Sequence, residues 1–437
     1  MVALLTAFII LTIIIGIVSS RKEDSEGYLI ANRELNIFQS VMTLCGSFIG
    51  AMTLLVYPAF VFSYGISAMW IFVGYLVGFI FFAHFALYLR KYPPAKHFYT
   101  MTDYFYHRFG RKAGICVITV IFVSYFGGLT AQIVGSGKIL SELSGLTYNT
   151  SVLITISIIL IYIVFGGFKS VVRTDVFQFI VLGILILVIT LALRTRLQVP
   201  ITHLNPFYAG PVKVIAFFLL GLLNLFGGQD YWQKVYAIKD EFVAKKAFII
   251  SGILIFLMAI ILTYIGLIAR TRFPLIDPDL AILYSFTKLI PHGLINFVTL
   301  AFFAAVLSSA DTNLFMLGLN FTNDLLHVKE KKRFYTRLSV IGIGLASFFL
   351  AMNFNSLVEL AIVIKSIGLI LPSIVVFIWL TKGDTIAIIW SIVLTLILVI
   401  AFALGGFLRP ELSFVSIFGS IIFYWVTVGI KKLVFSG

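Results

Sequence analysis

Apolar runs of about 20 residues, the length needed to cross a bilayer as helix, follow one another through almost the whole chain. About thirteen can be counted, near 2–19, 37–62, 66–90, 113–142, 148–165, 171–193, 211–230, 243–269, 294–325, 334–352, 355–380, 385–404 and 412–430. With 61% hydrophobic and 11% charged residues in 437, a soluble core could not hide this much apolar surface. The expectation is an all-α polytopic membrane protein whose residues 1–437 form one transmembrane domain. Cys45 and Cys116 lie inside apolar runs and read as small packed residues rather than a disulfide or a metal site.

Charge sets the expected orientation. The net charge is +14, but the basic residues fall in short loops rather than on one face, which argues against nucleic acid. Alternate loops carry Arg21, Lys22 and Arg33; Arg90 to Lys112; Lys169 and Arg173; Lys234 to Lys246; Lys329 to Arg337; and Lys431 and Lys432. The other loops hold few: Arg194, Arg196, Lys213, Arg270, Arg272, Lys288 and Arg409. A basic excess marks the cytoplasmic side. The expected location is the cell membrane, with the N-terminus outside and the C-terminus in the cytoplasm. Pro274 to Asp279 and the amphipathic stretch after them read as a short surface helix over the outer mouth.

Polar residues inside apolar runs point to function. Ser308, Ser309, Asp311 and Thr312 lie within five positions of an apolar run. At helical spacing Ala305, Ser308, Ser309 and Thr312 form one stripe, with Asp311 beside it. An ionisable group at membrane depth faces a cavity, a partner or an ion, and hydroxyl and carboxylate oxygens suit a hard cation. In the second run Gly46 and Gly50 sit in mid-membrane with Pro58 following. That pattern fits either a broken helix lining a cavity or a close helix contact. Asp175 and Gln178, after Gly166 and Gly167, have the spacing of a capping box; the other reading turns Asp175 inward toward Asp311. Lys365 lies about 15 Å into its run at helical rise, too deep to snorkel easily, and needs either Glu359 or an anionic solute. Lys138, near the outer end of its run, is expected to snorkel. Thr53, Trp70, Gln132 and Asn224 are candidates to line the same cavity as Lys365.

Several ordered motifs together resemble the sodium/solute symporter family of sodium-coupled sugar, proline, sialic acid and vitamin transporters. They are Ser25 to Arg33, Tyr57 to Trp70, Gly166-Gly167 with Thr174-Asp175 and Gln178, Gln229 to Lys234, and Ser308 to Thr312. The resemblance implies two inverted five-helix repeats, about 37–193 and 211–380, with broken second and seventh spans and extra helices at 2–19, 385–404 and 412–430. It implies a principal sodium site on the carbonyls of Gly46, Ile49 and Ala305 and the hydroxyls of Ser308 and Ser309. A second sodium or ion path would use Asp175, Asp311 and Thr312 with Ser308. Phe48 stands where sodium/proline members carry an aspartate, which argues against a proline-type solute.

The function expected is sodium-coupled import of a small polar organic solute, possibly an acid, by alternating access. Its partners are the solute, sodium and the bilayer, with no cofactor, no nucleic acid and a monomeric state. A proton-coupled or sensor-type member is the alternative. No enzyme is expected, because the sequence holds no metal-hydrolase, nucleophile-elbow or diphosphate motif.

Overall fold

The structure is a computed structural model that describes residues 2–20, 24–193, 201–353, 357–381 and 383–435. Arg21, Lys22, Arg194 and Arg196 of the loop count lie outside the described residues. Among the described residues no strand forms, and seventeen α-helices follow in order. They are α1 (Val2–Ser20), α2 (Ser25–Ile30), α3 (Ile37–Phe48), α4 (Tyr57–Tyr64), α5 (Trp70–Lys91) and α6 (Met101–Ser144). Then come α7 (Tyr148–Leu193), α8 (Pro211–Gly227), α9 (Gln229–Ala237), α10 (Glu241–Arg272), α11 (Ala281–Leu289) and α12 (His292–Asn320). The last are α13 (Lys332–Ala351), α14 (Leu357–Gly368), α15 (Ile370–Leu380), α16 (Thr385–Leu404) and α17 (Leu412–Phe435).

Among the described residues each expected apolar run is largely helical, but the helices do not divide as the runs do. Among the described residues nine helices are long and apolar enough to cross a membrane, ten if α8 and α9, bent by 48°, make one span. Two causes lower the count from thirteen. The first is adjacency: α4 leads through Gly65, with φ 61° and ψ −154°, and a short 3₁₀ turn directly into α5, so Met52–Lys91 makes one stretch with a break inside it. Likewise the runs 148–165 and 171–193 join in α7, broken only at Gly167, whose φ is 61°. The second is brevity, since Thr6–Gly16 and Ile37–Phe48 are the shorter apolar helices.

Local chemistry explains the helix starts. Asn36 and Gln39 form a reciprocal capping box at α3, as Thr100 and Asp103 do at α6. Asp240 caps α10. In lipid such caps satisfy amides that water would otherwise reach. The expected short helix after Pro274 to Asp279 forms, a 3₁₀ turn Pro278–Leu280 leading into α11, but α11 buries Ile282, Leu283, Phe286 and Leu289 against the bundle rather than lying on its surface.

Close packing needs small residues where helices cross. At the crossing of α5 with α8, a Cβ on Gly221 would overlap the carbonyl of Ile71, and one on Gly74 would overlap that of Phe218. Backbone cannot yield as a side chain can, so glycine is required here. Arg90, at the end of α5, donates to Val235 O at 2.7 Å and Ile238 O at 2.6 Å, fixing the chain after α9.

Two expectations about charge are corrected. Lys138 does not snorkel: its ammonium pairs with Asp279 at 2.8 Å, and Asp279 also accepts from the amide of Leu357 at 2.9 Å. A buried carboxylate nearby is a better partner than distant water. Lys234 is not a loop charge: it lies inside the bundle with 1% of its side chain exposed.

Replacing Gly221 or Gly74 by valine is expected to destabilise the protein by roughly 1–3 kcal/mol or more through overpacking. Gly183, with nothing near its Cβ position, should accept valine with little change. Thermal midpoints of the purified variants check both.

Candidate functional site

The second apolar run breaks where its glycines stand. Helix α3 ends at Phe48, and Ile49 leaves helical geometry with φ −94° and ψ 83°. Helix resumes as a π turn at Met52–Val56. The break frees backbone groups that must find partners inside the bundle. The Ala51 amide donates to Gln132 Oε1, and Thr53 Oγ1 donates to Phe48 O at 2.9 Å. Among the described residues no backbone amide donates to the Ile49 carbonyl.

The stripe on α12 meets this break. Ser308 and Ser309 are buried. A Cβ on Gly46 would sit 3.0 Å from Ser308 Oγ, and one on Gly50 would overlap Ser309. Glycine is therefore what lets the two segments touch. Ser309 Oγ donates to Ser47 O at 2.8 Å, and Ser308 Oγ donates to Asp175 Oδ1. Each hydroxyl has one hydrogen and two lone pairs. With the hydrogen committed, both oxygens keep lone pairs for a cation. Ala305, on the same stripe, is 2% exposed.

Asp175 is not a helix cap. Helix α7 runs unbroken through it, because the chain breaks eight residues earlier at Gly167. Its carboxylate is fully buried and accepts from Thr43 Oγ1 as well as Ser308. Asp311 is also fully buried, accepting from Tyr162 at 2.6 Å and, at 3.4 Å, from Thr174 and Thr312. Thr312 donates in addition to Ser308 O at 3.1 Å. The structure thus brings the expected ion residues together and adds Thr43, Tyr162 and Thr174 to them.

A cavity opens beside the break. Thr53, Gln132, Asn224, Ser309 and Lys365 line it, with Phe48, Phe72, Tyr75, Asp230 and Tyr231. Lys365 on α14 has no hydrogen bond or ion pair to its ammonium among the described residues. Glu359, the partner considered within the chain, is exposed and six residues away. Trp70 is not brought to this cavity. Its indole donates to Pro206 O at 3.0 Å and packs on Phe207 and Phe218. The carbonyl of Pro206 draws the ring to the loop instead.

Sequence reasoning quoted Asp230 and Lys234 within a motif, gave Asp230 no role and counted Lys234 as a loop charge. Lys234 donates to Thr43 O at 3.1 Å and to Ser47, and stands 3.7 Å from Asp230. The available signal was their i,i+4 spacing directly after the Gly227-Gly228 break, which carries both into the bundle. No cluster of His, Cys, Asp and Glu able to hold a metal occurs among the described residues.

These features define a multi-pass membrane protein with broken helices around a cavity and a buried acid pair. The model of the sodium:solute symporter family matches residues 28–408. The chain belongs to that family; it is a transporter and not an enzyme, and sodium-coupled symport is the activity of its class. A curated relative is the sodium/proline symporter of Staphylococcus aureus (strain Newman), 25% identical over 386 residues, spanning 80% of this chain and 75% of the relative. A substrate-bound outward-open Na+-coupled sialic acid symporter superposes with a TM-score of 0.76 at 17% identity, over 97% of each chain. A nucleobase-cation-symport-1 family transporter, closed on bromovinylhydantoin, gives 0.56 at 13% identity over 94% of this chain and 96% of its own. The two structures share this chain's fold.

Replacing Gln132 by leucine leaves the Ala51 amide unpaired and is expected to cost roughly 1–3 kcal/mol. Gln132→Glu, which keeps an acceptor, should recover most of it. Thermal unfolding of both variants is the measurement.

Proposed function

We propose that this chain imports a small polar solute bearing an anionic group, driven by sodium entering through the same site. The observation that supports it most is the pair Ser308 and Ser309. Both donate their hydrogens to protein acceptors and touch a segment whose Ile49 carbonyl has no amide partner. With the carbonyls of Gly46 and Ala305 they offer five oxygens, a reasonable shell for a small hard cation. Asp175, Asp311 and Thr312 would hold a second cation or pass the first onward. Lys365 would receive the solute's anionic group, with Thr53, Gln132 and Asn224 around it.

Two inverted repeats, at 37–193 and 211–380, together with thirteen crossings, are the architecture this reading uses. Breaks at Ile49 and at Gly228 fall at matching places in the two halves, where such transporters bind ion and solute. Alternating access has a physical basis in the asymmetry of the bundle. One end is laced shut: Tyr99 donates to Glu26 at 2.6 Å, Thr100 to Asp324 at 3.0 Å, and the Met101 amide to Gln229 at 2.8 Å. The cavity reaches instead toward Pro410, at the far end of α16. The closed end carries most of the basic loops and would be cytoplasmic. The bilayer is then the plasma membrane, with the N-terminus outside and the protein acting as a monomer.

The double change Ser308→Ala and Ser309→Ala is expected to raise the half-saturating sodium concentration about tenfold or more. Sodium-dependent thermal stabilisation and uptake into proteoliposomes both read it. Stabilisation that ignores sodium, or a double variant that behaves as the parent, overturns the reading in favour of a proton-coupled or sensing protein. Asp311→Asn is expected to lower the number of sodium ions moved per solute, measured from reversal potentials in vesicles. An unchanged ratio removes Asp311 from the ion path.

A further inference from the structure

One buried side chain reaches both the proposed ion residues and the cavity. Lys234 lies on α9 with 1% of its side chain exposed, and its ammonium carries three hydrogens. One is donated to Thr43 O at 3.1 Å and another to Ser47 Oγ, both near the end of α3. Among the described residues no acceptor holds the third. Asp230 Oδ2 stands 3.7 Å away, beyond hydrogen-bond distance. The two α3 residues are tied to the ion residues: Thr43 Oγ1 donates to Asp175, and Ser47 O accepts from Ser309. Asp230 lines the cavity and accepts from Tyr125, which lines it too.

Resting on the symport reading above, we infer that Lys234 couples the two sites, its ammonium moving from the end of α3 to Asp230 when a cation enters beside Ser308 and Asp175. The driving force is repulsion between like charges, which is far stronger in a low-dielectric interior than in water. Without the cation, Asp175 has hydroxyl donors alone, and its charge draws the ammonium toward the α3 turn that carries Thr43. A cation on Ser308 answers that charge directly, and the stronger attraction is then Asp230. A shift of about 1 Å brings the ammonium within hydrogen-bond range of Oδ2. The move changes the cavity wall twice. It neutralises Asp230, and it releases the hydroxyl of Ser47, which also lines the cavity. Coupling of this kind is reciprocal, so a solute that favours the second arrangement tightens sodium by the same factor. A lysine locked to either partner would transmit nothing.

The test needs no known solute. Leu220 lines the cavity and belongs to neither site. Cys45 is buried, so Leu220→Cys with Cys116→Ala gives the purified full chain one accessible thiol. Its rate of labelling by a thiol reagent is measured in sodium and in potassium at equal ionic strength. Sodium is expected to change the rate about fivefold or more. Lys234→Met and Asp230→Asn should each abolish that response while sodium still raises the thermal midpoint. A response that survives in either variant overturns the inference. So does a parent whose labelling ignores sodium although its midpoint rises. A Lys234→Met variant that folds but gains no stability from sodium also overturns it, because Lys234 then serves the ion site alone. Should Lys234→Met fail to fold, Asp230→Asn decides, since it leaves Lys234 and its bonds to α3 in place. A parent that sodium fails to stabilise counts against the symport reading instead.

Discussion

A broken helix inside hydrocarbon is tolerable only if the surrounding protein replaces the partners it loses. The break at Ile49 depends on this. Gln132 takes the Ala51 amide, Thr53 takes the Phe48 carbonyl, and Ser309 takes that of Ser47. These bonds come from α6, from the segment itself and from α12, so three parts of the chain hold one unwound turn. What they leave untouched is the Ile49 carbonyl. The proposed ion site is built around that carbonyl.

The buried charges follow the same rule. Asp175 and Asp311 lie on different helices, and each is surrounded by hydroxyls rather than by a neutralising cation. Lys234, wholly inside, is anchored on a backbone carbonyl and a serine rather than on either of them. Hydrogen bonds make such carboxylates tolerable without cancelling their charge. In the proposed reading a mobile cation would complete them, a role that a permanent salt bridge would have taken.

How much of this was legible in the sequence depended on whether the signal was local. The helical runs and the inward serine stripe follow from hydropathy and periodicity, which act over a few residues, whereas Gly46 and Gly50 left a broken helix and a close helix contact open, and the structure shows both. Asp175 was ambiguous because capping-box spacing and an inward carboxylate look alike until the chain break is located at Gly167. Lys234 was misplaced because a lysine after an apolar run ordinarily lies in a loop, and only the packing of α9 shows otherwise. Trp70 was drawn toward the cavity on residue type, whereas the carbonyl that fixes it belongs to a segment 136 residues away. Lys138 found Asp279 across 141 residues. Partnerships at such separation leave no trace in spacing.

The glycine seam between α5 and α8 bears on motion as well as stability. At Gly74, Gly78 and Gly221 backbone lies against backbone, while Phe82 and Phe85 pack on Phe226 along the same crossing. Shear movements need helices that can slide past one another, and the backbone contacts at the glycines leave no room for it there. The two helices must travel as one rigid piece, one from each proposed half of the molecule. Distances measured from labels on that piece would therefore serve as a fixed ruler against which the displacement of the others can be read.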